Sequence, residues 1–268
     1  MLNLNEHKNV LIAIPSYKRA TKQMTNKWLK RAGYSKVYDI KTFVYIQDPE
    51  YHIYDLNGYD FVPIPPSAIP KPNLSKKRQF IVDYAKSHGY EYVLMIDDDL
   101  FYCDSAYTIQ NFIEKSIAFM DEHKNVALSC PAHTEFRLVT KGEYEYPVIA
   151  SHSAFIKLDR VGEAKYSQSE LVCEDMAFSL SLLEQGMYSV RINSCVMHTG
   201  DAGVDGFTQD GGGLEYKYKA IDLDPDKKAE YDREQTLKEF GYLIEKGLIY
   251  LDPEDEKIRL TQEAIDKA

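Results

Sequence analysis

Residues 92 to 100 read Tyr-Val-Leu-Met-Ile-Asp-Asp-Asp-Leu, five apolar residues running straight into three acids. A short, uninterrupted apolar run that follows a glycine stop at Gly89 reads as a strand buried on both faces, as in a parallel sheet. Ligands of such sheets gather at the carboxyl ends of the strands. Asp97, Asp98 and Asp99 therefore stand where the sheet presents its crevice. Three adjacent carboxylates repel one another, and a hard divalent cation with oxygen ligands is the usual relief. Strand alternation aims Asp97 and Asp99 the same way, so the two can share one ion. A solvated acidic turn is the plain alternative, but it leaves the apolar strand feeding the acids unexplained.

Working outward, Val10 to Ile14 is another apolar run, ended by Pro15. Thr21 to Ala32 carries Met24, Trp28 and Leu29 at helical spacing before Gly33. Thr42 to Ile46 and Phe61 to Ile64 read as strands. Ser75 is a candidate cap for a helix whose apolar face is Phe80, Ile81, Tyr84, Ala85 and His88. Strands alternating with helices imply a sheet with helices on its faces, an α/β architecture. Beyond the acids the pattern predicts a helix from Ile109 to Met120, a strand from Val126 to Ser129, and two extended runs around Lys141-Gly142. A helix from Glu174 to Gln185, stopped by Gly186, and an extended run from Tyr188 to Met197 follow. Thr199 to Gly213 holds six glycines and reads as a loop able to close over a site. The segment from about Asp226 is charged and helical in pattern, so we expect a main domain over 1–225 and a helical extension over 226–268.

The 268 residues suffice for one core, and no apolar run of about eighteen residues predicts a membrane span. The opening MLNLNEHKNV lacks the order of a signal peptide, which predicts a cytoplasmic protein. Cys103, Cys130, Cys173 and Cys195 are widely spaced and read as free thiols. The net charge of −10 is uneven: residues 1–91 hold 14 Lys and Arg against 8 Asp and Glu, and the remainder 18 against 34, of totals 32 and 42. A basic first third suits a phosphate-bearing ligand, or equally a solvated surface.

Two further groups could complete a site. His198 follows an extended run and precedes the glycine loop, where imidazole could join the ion or a phosphate, although a lone histidine is more often structural. Glu174 and Asp175 open a helix, where the dipole favours acids in any case; a functional Asp175 would act as a general base.

In their order these segments resemble the family 2 glycosyltransferases and their relatives of the GT-A fold. Ile14-Pro15-Ser16-Tyr17-Lys18-Arg19 resembles the family's first strand and nucleotide-contacting loop, Asp48 its acid near the donor base and ribose, and Lys77 with Arg78 its basic nucleotide contact. Asp97-Asp98-Asp99 resembles the DxD motif, Cys173-Glu174-Asp175 the ED motif, and His198 the late histidine. The opening lacks the family's usual asparagine, and Gln47-Asp48-Pro49-Glu50 replaces its acid- and serine-containing turn. The small size, basic first third and IPSYKR opening are also similar to phage-type GT-A enzymes that glycosylate hydroxymethylated pyrimidines in DNA.

The resemblance implies a GT-A glycosyltransferase, a Rossmann-like, mostly parallel sheet flanked by helices. It implies a nucleotide-sugar donor, a UDP-sugar, contacted by Pro15, Tyr17, Arg19, Asp48, Lys77, Arg78, Asp97 and Asp98. Mn²⁺ or Mg²⁺ would sit on Asp97, Asp99 and His198, and Asp175, beside Glu174, would deprotonate a hydroxyl acceptor, with inversion. The acceptor would be modified DNA in a host cytoplasm, with the basic residues from Lys18 to Arg31 along the backbone, or a cell-surface glycan or lipid carrier. Two rivals remain open: a nucleotidyltransferase, which usually carries a glycine-rich loop where Pro15-Ser16-Tyr17 stands, and a non-catalytic nucleotide-sugar binder. Neither GxGxxG nor GxxxxGK[ST] occurs, which counts against dehydrogenases and P-loop enzymes.

Overall fold

In the computed structural model the described residues are 9–102, 108–133, 142–150, 153–166, 174–199, 224, 227–254 and 257–268. The strand that decides the fold, β4 (Tyr92–Met95), lies deep in a nine-stranded sheet. On one side stand β1 (Val10–Pro15), β2 (Asp39–Tyr45) and β3 (Phe61–Ile64), all parallel to it. On the other, β8 (Ala154–Lys157) runs antiparallel between β4 and β6 (Val126–His133). β9 (Tyr188–Thr199) pairs parallel with β6, while β5 (Leu100–Tyr102) and β7 (Tyr144–Val148) pair antiparallel with β9. Six strands, β3, β2, β1, β4, β6 and β9, thus share one direction, which makes the sheet mostly parallel.

Alternation along the strands builds a core on each face. Leu11, Ala13, Phe43, Tyr45, Val93 and Met95 meet α3 (Leu74–Ser87) through Ile81, Val82 and Ala85. Val10, Ile12, Ile14, Leu94 and Ile96 meet α1 (Met24–Arg31) through Leu29, and α4 (Thr108–Glu122) through Phe112 and Ile113. A short α2 (Tyr51–Leu56) follows β2, and α5 (Glu174–Glu184) precedes β9. Gly89 and Gly186, at φ +77° and +72°, take the left-handed turns that end α3 and α5.

Two expectations change. Asn73, not Ser75, caps α3: its extended backbone lets the side chain accept the Lys76 N–H at 2.8 Å, and Ser75 lies buried inside the helix. The C-terminal extension is not purely helical. After α6 (Lys228–Glu245) come a hairpin of β10 (Ile249–Leu251) and β11 (Ile258–Leu260) and a short α7 (Gln262–Asp266). Phe240, Leu243 and Ile249 bury against Ala177, Leu180 and Leu183 of α5 and Tyr188 of β9. Cys130 and Cys195 are buried. The glycine loop expected over 199–213 lies, beyond its first residue, outside the described residues, as do Cys103, Cys173 and the run before Lys141. Among the described residues no helix is long and apolar enough to cross a membrane.

Candidate active site

Parallel register sets Pro15 beside Phe43 and Ala13 beside Met95, so the chains leaving β1, β2 and β4 emerge together at one edge of the sheet. From β1 the chain turns sharply, with Lys18 in the left-handed region at φ 54°. Asp48, from the exit of β2, holds that turn: it is buried and accepts the Lys18 N–H at 2.8 Å on one oxygen and the Glu50 N–H at 2.8 Å on the other. Glu50 in turn accepts the Ala20 N–H at 2.7 Å.

The turn points Ser16 and Arg19 at the acids after β4. Asp98 faces inward, where it accepts from Ser16 Oγ at 2.5 Å, Arg19 Nη1 at 2.9 Å and Gln23 Nε2 at 3.3 Å. Burial pushes its carboxyl up to about 6, against the downward pull of Arg19 and Ser16. Asp97 and Asp99 face outward, with side chains 37% and 24% exposed against 7% for Asp98. Arg19 Nη1 also reaches Asp99 at 2.7 Å. Burial alone would lower the pKa of Arg19, but Asp98 and Asp99 hold it above its ordinary value. Thr25 of α1 fixes the acidic loop from beneath: its Oγ1 lies 2.6 Å from the carbonyl oxygens of Asp97 and Leu100 and accepts the Leu100 N–H at 3.0 Å.

α3 supplies the two adjacent cations, which face different ways. Lys77 is fully buried, with its ammonium on the carbonyl of Ser16, 3.3 Å from that of Phe43, and 4.0 Å from the centre of the Tyr45 ring. Burial lowers its pKa to about 7, against the raising influence of Asp98, Asp48 and Asp97. Arg78 turns toward the acids. Its Nη2 lies 3.0 and 3.2 Å from the two oxygens of Asp97 and 3.5 Å from Glu174, and its Nη1 donates to Asp175. Burial opposes its charge, yet Asp175, Asp97 and Glu174 hold its pKa well above the ordinary value. Asp97 is pushed above the usual carboxylate range by burial, with Arg78 opposing. Acids from the exit of β4 and from the first turn of α5 thus converge on one guanidinium.

Residues 10–212 match the sequence pattern of the TET-associated glycosyltransferase family. The chain belongs to the TET-associated glycosyltransferases. No curated protein matches it in sequence. Among solved structures, glucosyl-3-phosphoglycerate synthase from Mycobacterium tuberculosis, in complex with Mg²⁺ and UDP, is similar at TM-score 0.53 and 11% identity over 95% of this chain and 87% of that one. A mannosyltransferase from Pyrobaculum calidifontis, in complex with GDP-Man and Mn²⁺, is similar at TM-score 0.54 and 11% identity over 91% and 66%. At such identity the likeness shows the fold, which is GT-A.

In this TET-associated glycosyltransferase the expected site residues divide. Arg19 pairs with Asp98 and Asp99, and Arg78 with Asp97, Glu174 and Asp175. Pro15 is buried at the end of β1, and Tyr17 packs edge-on against Tyr45 with ring centres 5.9 Å apart. Of the expected donor contacts, Asp48 binds the loop after β1 through the Lys18 and Glu50 N–H groups, and Lys77 joins that loop to the end of β2. His198 pairs in register with Phe101 on β5, two residues past Asp99; its side chain lies outside the described residues.

Among the described residues no three metal-ligating side chains cluster. Two outward carboxylates, Asp97 and Asp99, do suit Mg²⁺ or Mn²⁺, ions that commonly take one or two carboxylates and complete their shell with water and substrate phosphate. Sequence reasoning missed Gln23, Thr25 and Tyr54. Tyr54 is fully buried, its hydroxyl 2.7 Å from Ser16 Oγ and accepting the Arg19 N–H at 3.2 Å. Thr25 was detectable as a polar position in the first turn of α1, and Gln23 as the polar residue just before it; Tyr54 carried no local signal.

Proposed function

We propose that this glycosyltransferase moves a sugar from a UDP-linked donor onto the hydroxymethyl group of a pyrimidine in DNA, with a divalent metal and with inversion, in the cytoplasm. The observation that carries the reading is the meeting of Asp97, which follows β4, with Glu174 and Asp175, which open α5, around Arg78. An acid on the donor side and a candidate base thereby flank one crevice.

Asp97 and Asp99 would hold Mn²⁺ or Mg²⁺ on the donor diphosphate. That ion, when bound, neutralises the charge that the departing diphosphate gathers. Arg19, anchored by Asp98 and Asp99 at the rim, adds a charge-assisted bond to the same phosphates. Asp175 takes the proton of the acceptor hydroxyl as that oxygen forms its bond to the anomeric carbon and the bond from that carbon to the diphosphate oxygen breaks. Complexes of the glucosyl-3-phosphoglycerate synthase with Mn²⁺ and UDP, and of the mannosyltransferase with GDP-Man and Mn²⁺, support a metal and a nucleotide-sugar donor.

Support for a DNA acceptor comes from the family's association with TET and from charge. No acid occurs between residues 21 and 38, while Lys22, Lys27, Lys30, Arg31 and Lys36 are all exposed. This basic stretch abuts the acidic loop, because the Met24 and Thr25 N–H groups donate to the Asp98 carbonyl at 3.1 and 3.2 Å. A DNA backbone is the polyanion such a face fits.

The test is transfer from a panel of UDP- and GDP-sugars, with Mn²⁺ or with chelator, to oligonucleotides containing 5-hydroxymethylcytosine. We expect turnover that needs both metal and hydroxymethyl group and falls at least about 100-fold in Asp99→Ala. Turnover that persists in chelator, or on a glycan acceptor alone, would overturn the corresponding part of the reading.

A further inference from the structure

Arg78 was expected among the donor contacts, and its geometry suits a further task. The side chain is 3% exposed, and its two terminal nitrogens are divided between two elements: Nη2 on Asp97 after β4, Nη1 on Asp175 at the start of α5. Tyr166 closes the far side. Its ring stacks on Phe178 of α5 with centres 4.3 Å apart, and its phenol lies in the electrostatic reach of Arg78, Asp175 and Glu174. A planar guanidinium can bridge two carboxylates in fixed directions, which an ammonium, a single point of charge, cannot do.

We propose that Arg78 is a positioning residue for the base: by bridging Asp97 and Asp175 it holds the proton-accepting carboxylate at a set place relative to the carboxylate facing the donor. The inference rests on the assignment of Asp175 as base. Arg78 acts through Asp175 and contributes to the chemical step rather than to donor binding. Loss of the bridge leaves the base free to turn, so the acceptor hydroxyl is deprotonated less often in the geometry of attack.

A double-substitution cycle separates this from a merely structural ion cluster. Arg78→Lys keeps the charge, and Asp175→Asn keeps the shape; each single variant and the pair are compared with wild type. The readouts are kcat and KM for transfer to hydroxymethylated DNA with the donor the panel identifies, the affinity for UDP with Mn²⁺ by calorimetry, and the thermal midpoint. We expect Arg78→Lys to lower kcat about 10- to 100-fold with the UDP affinity within about threefold of wild type. In the Asp175→Asn background the same lysine should cost less than about twofold, because the group it positions is gone. Losses that multiply in the double variant, or a fall in UDP affinity that accounts for the loss, would overturn the positioning role while leaving Asp175 as base. Wild-type kcat in Asp175→Asn would remove the base itself, and the proposal with it.

Discussion

Lys77 carries an ammonium into the interior against the carbonyls of Ser16 and Phe43, and its pKa falls to about 7. In the unfolded chain a lysine titrates near 10.4. Between about pH 7 and 10 the unfolded state therefore binds more protons than the folded one, and stability rises with pH across that window. Lys77→Met lacks this dependence. We predict that the urea stability of wild type relative to Lys77→Met increases from pH 7 to pH 9, by up to about 1.4 kcal/mol per pH unit, the limit for one proton. A difference that stays flat with pH would contradict the buried, titrating lysine. At this scale the acids and cations of the candidate site were legible in the sequence, but their contacts were not. Asp98 meets Ser16 and Arg19 across some 80 residues of chain, and nothing local to Asp98 encodes that meeting. Asp48 and Lys77 lie where a family resemblance puts donor contacts, yet their charges are directed at backbone, which only the packed loop reveals.

Among the elements, α3 matters most, because it delivers Lys77 and Arg78. Its start is fixed by Asn73, whose side chain caps Lys76 and whose backbone exchanges hydrogen bonds with the Tyr45 hydroxyl, at 2.7 Å from the carbonyl and 3.0 Å from the N–H. Asn73→Ala should destabilise the protein by about 1 kcal/mol in urea unfolding, the usual value of such a cap, whereas Ser75→Ala should not remove a cap. Equal effects of the two would favour the cap first read from sequence. The strands around the site were legible because β1 and β4 are uninterrupted apolar runs, which only a doubly covered strand tolerates. The C-terminal hairpin was not. Its strands are three residues each, Ile-Tyr-Leu and Ile-Arg-Leu, too short to show a period, and the turn at Asp252-Pro253-Glu254 adds charges that mimic a solvated helix. The turn is nonetheless specific, with Asp252 Oδ1 accepting the Glu254 N–H at 2.9 Å.

Over the whole molecule, a net charge of −10 coexists with a basic stretch over residues 21–38, on and beside α1, whose sequence holds no acid. Lys27, Lys30 and Arg31 are exposed, with Lys27 about one helical turn of 5.4 Å before the adjacent pair. Replacing all three by glutamate should weaken binding of hydroxymethylated DNA at least about 10-fold at low salt and reduce the slope of log affinity against log salt by roughly 0.9 for each phosphate that is no longer neutralised. Donor hydrolysis without DNA should be unchanged. An unaltered salt slope would move the acceptor to another surface. The site itself gathers parts from across this length: the loops after β1, β2 and β4, then α3 and the start of α5. Its chemistry therefore depends on the sheet that brings those ends to one edge.

If Asp175 takes a proton while the acceptor oxygen displaces the diphosphate in line, the product carries the inverted anomeric configuration. Sugar from an α-linked UDP donor, transferred to hydroxymethylated DNA by wild type and released as the modified nucleoside, can be assigned at its anomeric carbon by proton NMR. We predict the β-linkage, formed by one inversion; an α-linkage would mean retention and would remove Asp175 from the role of base.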